Sequence, residues 1–153
     1  FQVIFPPQVY VIKRELLWIP FFGWGLAMLS PVAIDRAAGM RALRQMLEQG
    51  KDRLARGFWI IVFPEGTRVA PGMRRAYQTG GAAIALHAEV PVLPVAHNAG
   101  TCWRRHAFRK YPGTITVSIG RPIDSRNRKA AELTREVEDW IEAEMQRLEH
   151  GQA

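Results

Sequence analysis

An α/β fold, with a mixed, mostly parallel central sheet flanked by helices, is predicted by two patterns in the sequence. Short apolar or β-branched runs alternate with longer stretches of helical periodicity, and Pro, Gly or polar residues bound the runs. The 153 residues suit one domain with its own core, so residues 1–153 are expected to form a single unit. A content of 48% hydrophobic against 23% charged residues excludes a disordered chain.

In chain order, Gln8–Ile12, Val32–Asp35, Phe58–Phe63, Val92–Ala96 and Thr114–Ile119 read as strands, and at least four of them are expected in one sheet. Met40, Leu43, Leu47 and Leu54 fall on one helical stripe between the second and third strands. Ala82–Ala88, after Gly80-Gly81, reads as a small-residue helix able to pack closely on a sheet. Residues 97–113 read as a loop. Leu133, Val137, Trp140, Ile141 and Leu148 repeat at helical spacing, with Gly151 placed to end a docked surface helix.

The run from Leu16 to Ile34 carries no charge and has about the length of a membrane span. Pro20, Gly23, Gly25 and Pro31 interrupt it, and a spanning helix broken that often leaves backbone groups without partners. Core burial and spanning both stay open as readings. The expectation adopted is that Trp18, Phe21, Phe22 and Trp24 face lipid or line an acyl path.

A net charge of +7 draws the chain toward polyanions: anionic lipid, nucleic acid or an acidic carrier. Arg104, Arg105, Arg109 and Lys110 form the densest basic cluster. No zinc-finger spacing, aromatic RNA-binding block or recognition helix is present, so nucleic acid is not an expected partner. Cys102 is the sole cysteine, which rules out an internal disulfide and a cysteine-built metal site.

The residues most suited to chemistry are Phe63-Pro64-Glu65-Gly66-Thr67-Arg68, directly after an apolar strand. The carboxyl end of a strand is where open α/β sheets place ligands. Gly66 lets backbone approach a ligand, Thr67 offers a hydroxyl, and the Arg68 fork matches phosphate oxygens. The same residues also suit a tight turn with Glu65 and Arg68 as a solvated ion pair.

FPEGTR at the end of a hydrophobic strand resembles the third signature block of the glycerolipid acyltransferase family. Ala33-Ile34-Asp35-Arg36 resembles the second block, and Val90-Pro91-Val92-Leu93-Pro94-Val95 the fourth. Lys13-Arg14-Glu15-Leu16, followed by Ile19-Pro20-Phe21-Phe22-Gly23-Trp24, is similar to the stretch before the second block in bacterial 1-acylglycerol-3-phosphate acyltransferases. The resemblance implies the glycerol-3-phosphate acyltransferase-like fold, with Arg36 and Arg68 converging on the acceptor phosphate. It further implies that Glu65, Gly66 and Thr67 shape the acceptor pocket, with Lys13 as a further possible contact.

The implied reaction moves a fatty acyl group from acyl-CoA or acyl carrier protein to the free hydroxyl of lysophosphatidic acid, making phosphatidic acid, with no cofactor and no metal. The implied place is an anionic membrane surface on the cytoplasmic face of the inner membrane. Two alternatives stand: the same fold acting on glycerol 3-phosphate or another lysophospholipid, and a non-catalytic basic domain that binds membrane.

The family's first block, a His with an acidic residue five positions on, is not found. Five places after His87, His97 and His106 stand Val92, Cys102 and Tyr111, and His150 is too near the end. The expectation is therefore that the catalytic pair and a membrane anchor lie upstream of Phe1, and that these 153 residues alone transfer no acyl group.

Overall fold

The computed structural model describes residues 1–35, 39–104 and 107–149, with the backbone of residue 150. It divides into two compact units, Phe1–Phe63 and Pro64–Ala153.

The first unit is a parallel three-stranded sheet in the order β2-β1-β3, formed by β1 (Gln8–Lys13), β2 (Val32–Ile34) and β3 (Trp59–Ile61). Val11 pairs with Val32 on one side of β1, and Gln8 with Trp59 on the other. Val9 and Val32 are fully enclosed, as expected of β-branched residues in a sheet covered by other elements. Phe5 is buried against Trp59, with ring centroids 5.2 Å apart.

The uncharged run does not form one helix. A 3₁₀ turn (Arg14–Trp18) leads to the short helix α1 (Phe22–Met28), and the chain then enters β2. Among the described residues no helix is long and apolar enough to cross a membrane. Gly23 packs against the backbone of this turn, where a Cβ would stand 2.3 Å from the Leu17 carbonyl oxygen. Phe21 has φ 62° and ψ −54°, and the Phe22 amide donates to the Pro20 carbonyl at 2.7 Å. That is a γ-turn in its strained form, costing on the order of 1–3 kcal/mol.

Helix α2 (Gly39–Ala55) packs on β2 and β3. Its buried residues are Ala42, Met46 and Gly50, whereas Met40 is 81% exposed and Leu43 also faces outward. The expected stripe is thus turned aside, because small residues at 42 and 50 let the helix lie close to the sheet. The Gln49 side chain then reaches the edge strand, accepting from the Ala33 amide at 3.0 Å and donating to its carbonyl at 3.3 Å. Arg53 donates to the Ser30 carbonyl at 2.7 Å.

In the second unit α3 (Gly80–Ala88) packs on α5 (Ala130–His150). Ala82, Ala85 and Leu133 form the core, with Val92, Ile123 and Val137 packed around them. β4 (Val95–His97) and β5 (Val117–Ile119) make an antiparallel ribbon, with the short helix α4 (Ala99–Cys102) between them in sequence. The expected strand Val92–Ala96 is split because Pro94 has no N–H to donate: Val92 bridges Ile123 alone, and regular pairing starts at Val95. Residues 114 and 116 are withheld from the ribbon by buried Asn98, whose side chain accepts from the Thr116 amide at 2.8 Å and donates to the Thr114 carbonyl.

The α/β class holds, with the parallel sheet flanked by helices. The expectation of four strands in one sheet does not: among the described residues the strands separate into three and two.

Candidate functional site

The hexapeptide Phe63–Arg68 begins two residues after β3 ends. Gly66 has φ 66°, the left-handed region that glycine enters without steric cost, so the turn depends on it. The Pro64 carbonyl accepts from the Gln78 amide at 2.8 Å, tying the turn to the approach to α3.

Glu65 is half-buried, and burial pushes its carboxyl above the usual range; a hydrogen bond from its own backbone opposes this, and Glu142 of α5 adds repulsion. The Tyr77 hydroxyl donates to Glu142 Oε1 at 3.3 Å and is itself held well above its ordinary pKa by burial, then by Glu65 and Glu142. Arg74 pairs with the other oxygen of Glu142 at 3.0 Å. Two carboxylates in one half-buried place oppose stability, and perturbed groups of this kind gather at functional sites. The solvated Glu65–Arg68 ion pair is not formed.

Arg68 instead lies over the Trp103 ring, 5.4 Å from its centroid. Lys110 sits 4.5 Å from the same ring, and Arg104 and Arg109 lie 5.9 and 5.6 Å from that of Tyr111. The Trp103 indole N–H donates to the Ala107 carbonyl at 2.9 Å, which fixes the ring. Among the described residues no carboxylate pairs with Arg68, Arg104, Arg109 or Lys110. Aromatic faces hold these cations in place without neutralising them, so they remain able to bind an anion.

The structure therefore brings Arg68 together with Lys110 on Trp103, and Arg104 with Arg109 on Tyr111, two rings that the sequence did not single out. Glu65, Gly66, Thr67 and Arg68 share one turn. Lys13 ends β1 in the first unit and is exposed. Arg36 lies outside the described residues, and with it the expected pairing of Arg36 with Arg68; Arg105 also lies outside them. His97 is half-buried, its ring pKa is lowered by burial, and its Nδ1 accepts from the Ala99 amide, a structural role. Among the described residues no cluster of His, Cys, Asp and Glu could hold a metal.

The chain is similar to several known proteins. A 1-acyl-sn-glycerol-3-phosphate acyltransferase of Pseudomonas aeruginosa is 46% identical over 144 residues, covering 92% of this chain and 56% of that protein. The protein of the same name from Escherichia coli is 34% identical, covering 80% of this chain and 50% of its own length. The crystal structure of the 1-acyl-sn-glycerophosphate (LPA) acyltransferase from Thermotoga maritima superposes with a TM-score of 0.73 at 27% identity, covering 93% of this chain and 57% of that one. The chain thus spans about half the length of these relatives. Residues 2–98 match the family model described as Acyltransferase, and the chain belongs to that family.

Proposed function

We propose that this chain is the acceptor-reading part of an enzyme that transfers a fatty acyl group from a thioester to the free hydroxyl of 1-acylglycerol 3-phosphate. The observation that carries the reading is Arg68, held over Trp103 without a carboxylate partner in a glycine-dependent turn. A fixed, unneutralised guanidinium is suited to a phosphate monoester. The names of the bacterial relatives supply the acceptor.

In this reaction the hydroxyl oxygen attacks the thioester carbonyl carbon, the C–S bond breaks, and the proton passes by way of a general base to the departing thiolate. Help of that kind is worth about 10²–10⁴-fold. No histidine of the 153 residues has an acidic residue five places on, so in this reading the base comes from a His-acid block outside them. Residues 1–153 are then one acyltransferase domain built from the two units. Arg36 and Lys13 are proposed as further phosphate contacts, and Glu65, Gly66 and Thr67 as the pocket wall.

A membrane surface is the proposed setting, because Trp18, Phe21, Phe22 and Trp24 are 71%, 80%, 58% and 63% exposed around the strained turn at Phe21. Exposed aromatics on a 3₁₀ turn and the start of a short helix suit the interfacial layer rather than its hydrocarbon centre.

The test is equilibrium binding of 1-acylglycerol 3-phosphate and of 1-acylglycerol below their aggregation limits. The chain should prefer the phosphate form, and Arg68→Ala should reduce that preference about 10–100-fold, the range of a hydrogen bond to a charged group. Equal binding of both ligands would overturn the assignment. Acyl transfer is expected only from a chain extended to include the His-acid block.

A further inference from the structure

The chain from residue 62 to residue 79 forms no helix or strand, yet it is tied down along its length. Connections that long without structure of their own are uncommon inside a compact domain and usually serve a site. Beyond the signature turn the segment runs along α5 and ends at α3. The Gly72 amide donates to Glu149 Oε1 at 3.3 Å, Arg74 pairs with Glu142 Oε2 at 3.0 Å, and the Tyr77 hydroxyl donates to Glu142 Oε1 at 3.3 Å. Glu142 and Glu149 stand about two helical turns apart on one face of α5, so the segment lies as a strap antiparallel to that helix.

Tyr77 is the inner end of this strap. Its ring is buried, and a buried hydroxyl needs a partner, which Glu142 supplies. The next residue, Gln78, donates its amide to the Pro64 carbonyl at 2.8 Å, so Tyr77 and Glu65 flank one backbone hydrogen bond. Glu65 acts on the Tyr77 hydroxyl and Glu142 on the Glu65 carboxyl, in agreement with that placement.

A staple needed only for stability would not be built this way. Glu142 sets a second carboxylate beside half-buried Glu65, and like charges in a poorly solvated place repel. Arg74 offsets part of this, but its side chain is 62% exposed, so the pair is screened by solvent. Glu138, one turn earlier on α5, adds negative charge near the Tyr77 hydroxyl. Apolar side chains at 77 and 142 would hold the strap to the helix without that repulsion.

We propose that Tyr77 and Glu142 are positioning residues for the signature turn: Glu142, anchored by Arg74, fixes the Tyr77 hydroxyl beside Glu65 and so holds the turn that carries Thr67 and Arg68 to α5. The two residues divide the task. The Tyr77 hydroxyl fixes the place of the turn. The Glu142 charge discourages ionisation of Glu65, which would put further negative charge near an incoming phosphate. This rests on the acceptor reading of Arg68, but signals from the turn itself report on it without ligand.

The experiment combines NMR of the isotope-labelled 153-residue chain with equilibrium binding of 1-acylglycerol 3-phosphate and 1-acylglycerol. Tyr77→Phe keeps the ring and removes the hydrogen bond, whereas Glu142→Gln keeps an oxygen to accept from Tyr77 and removes the charge. Glu144→Gln, on the same helix but paired with Arg147, is the control. Tyr77→Phe should move the amide signals of Gly66, Thr67 and Arg68 and cut the preference for the phosphate ligand roughly 3–10-fold, the range of one hydrogen bond. Glu142→Gln should leave those amides near their parent positions and shift the titration of the Glu65 carboxyl to lower pH, because a like charge is gone. Glu144→Gln should do neither. Amide signals and preference unchanged in Tyr77→Phe would overturn the proposal, as would a Glu65 titration that Glu142→Gln does not move. Should Tyr77→Phe not fold, Arg74→Gln at the exposed end of the network decides: it should move the same amides by less, and unmoved signals overturn the proposal. If the parent binds both ligands alike, the acceptor reading of Arg68 fails, while the amide and titration signals still decide the positioning role.

Discussion

The two units handle charge differently. Residues 1–63 carry eight Lys and Arg against four Asp and Glu, and three of those cations line one cavity with Glu48 and form no ion pair among the described residues. Residues 64–153 carry thirteen against ten, and many are committed: Arg126 to Asp124, Arg128 to Glu132 and Glu136, Arg147 to Glu144, Arg74 to Glu142. Exposed pairs of this type add little stability each, typically up to about 1 kcal/mol. Their presence nevertheless throws the unpaired groups into relief. Where carboxylates are plentiful, four cations are still kept on aromatic rings instead, and where carboxylates are scarce, arginines are placed at the wrong end of a helix dipole. Both arrangements leave positive charge available.

The largest expected effect tests the core of the second unit. Leu133 is fully buried between α3 and α5, and Leu133→Ala should cost about 2–5 kcal/mol in unfolding free energy. In hydrogen exchange the lost protection should concentrate in residues 64–150. Equal loss in β1 would break the division into two units.

A smaller effect sharpens the role of the aromatic platforms. Trp103→Ala removes the surface beneath Arg68, worth about 0.5–1 kcal/mol at an exposed site, and should weaken phosphate-dependent acceptor binding a few-fold. Trp103→Phe should restore part of it. If Trp103→Ala binds as the parent does, Arg68 does not depend on the ring.

Glu65 gives a pH test. Its folded pKa lies above the unfolded value, so the folded state holds the proton more tightly and stability falls as pH rises through the raised pKa. Glu65→Gln should therefore melt at a higher temperature than the parent at pH 7, with the gap closing as pH drops below the ordinary value of 4.5. A variant less stable at neutral pH would show that the carboxylate is stabilising.

The smallest effect is expected at Glu144, lowered to about 2 by Arg147 and then by Ser118. A depressed carboxylate stabilises above its unfolded pKa and loses that contribution as pH falls. Glu144→Gln should lower the melting temperature slightly between pH 5 and 7, with the difference shrinking as pH falls toward the lowered value of about 2; a pH-independent change would point to packing instead.

Much of the fold was legible because period and punctuation are local. Gln8–Lys13 was placed to within one residue, and the uncharged run divides into a 3₁₀ turn and a short helix where Pro and Gly interrupt it. The misses came from tertiary choices. The face of α2 was misjudged because apolar size was read as burial, whereas the close approach to the sheet selected Ala42 and Gly50. The strand at 114–119 was read too long because nothing nearby shows that the Asn98 side chain will bond residues 114 and 116. At the site, the hexapeptide was legible from its residue types. Trp103 and Tyr111 were not, because stacking a cation on a ring depends on how residues 97–113 fold back, and that stretch has no period to read.

The segment matching the family model ends at residue 98, yet the groups that set the state of its signature turn come later. Glu142 presses on Glu65 from α5, and Trp103 carries Arg68. The signature and the groups that act on it thus lie on different stretches of chain. Changes at 103, 110 or 142 can alter how Arg68 is seated and how Glu65 is charged while every residue of FPEGTR stays the same. Two members of the family with identical signatures need not then behave alike, and the place to look for their divergence is the last third of the domain.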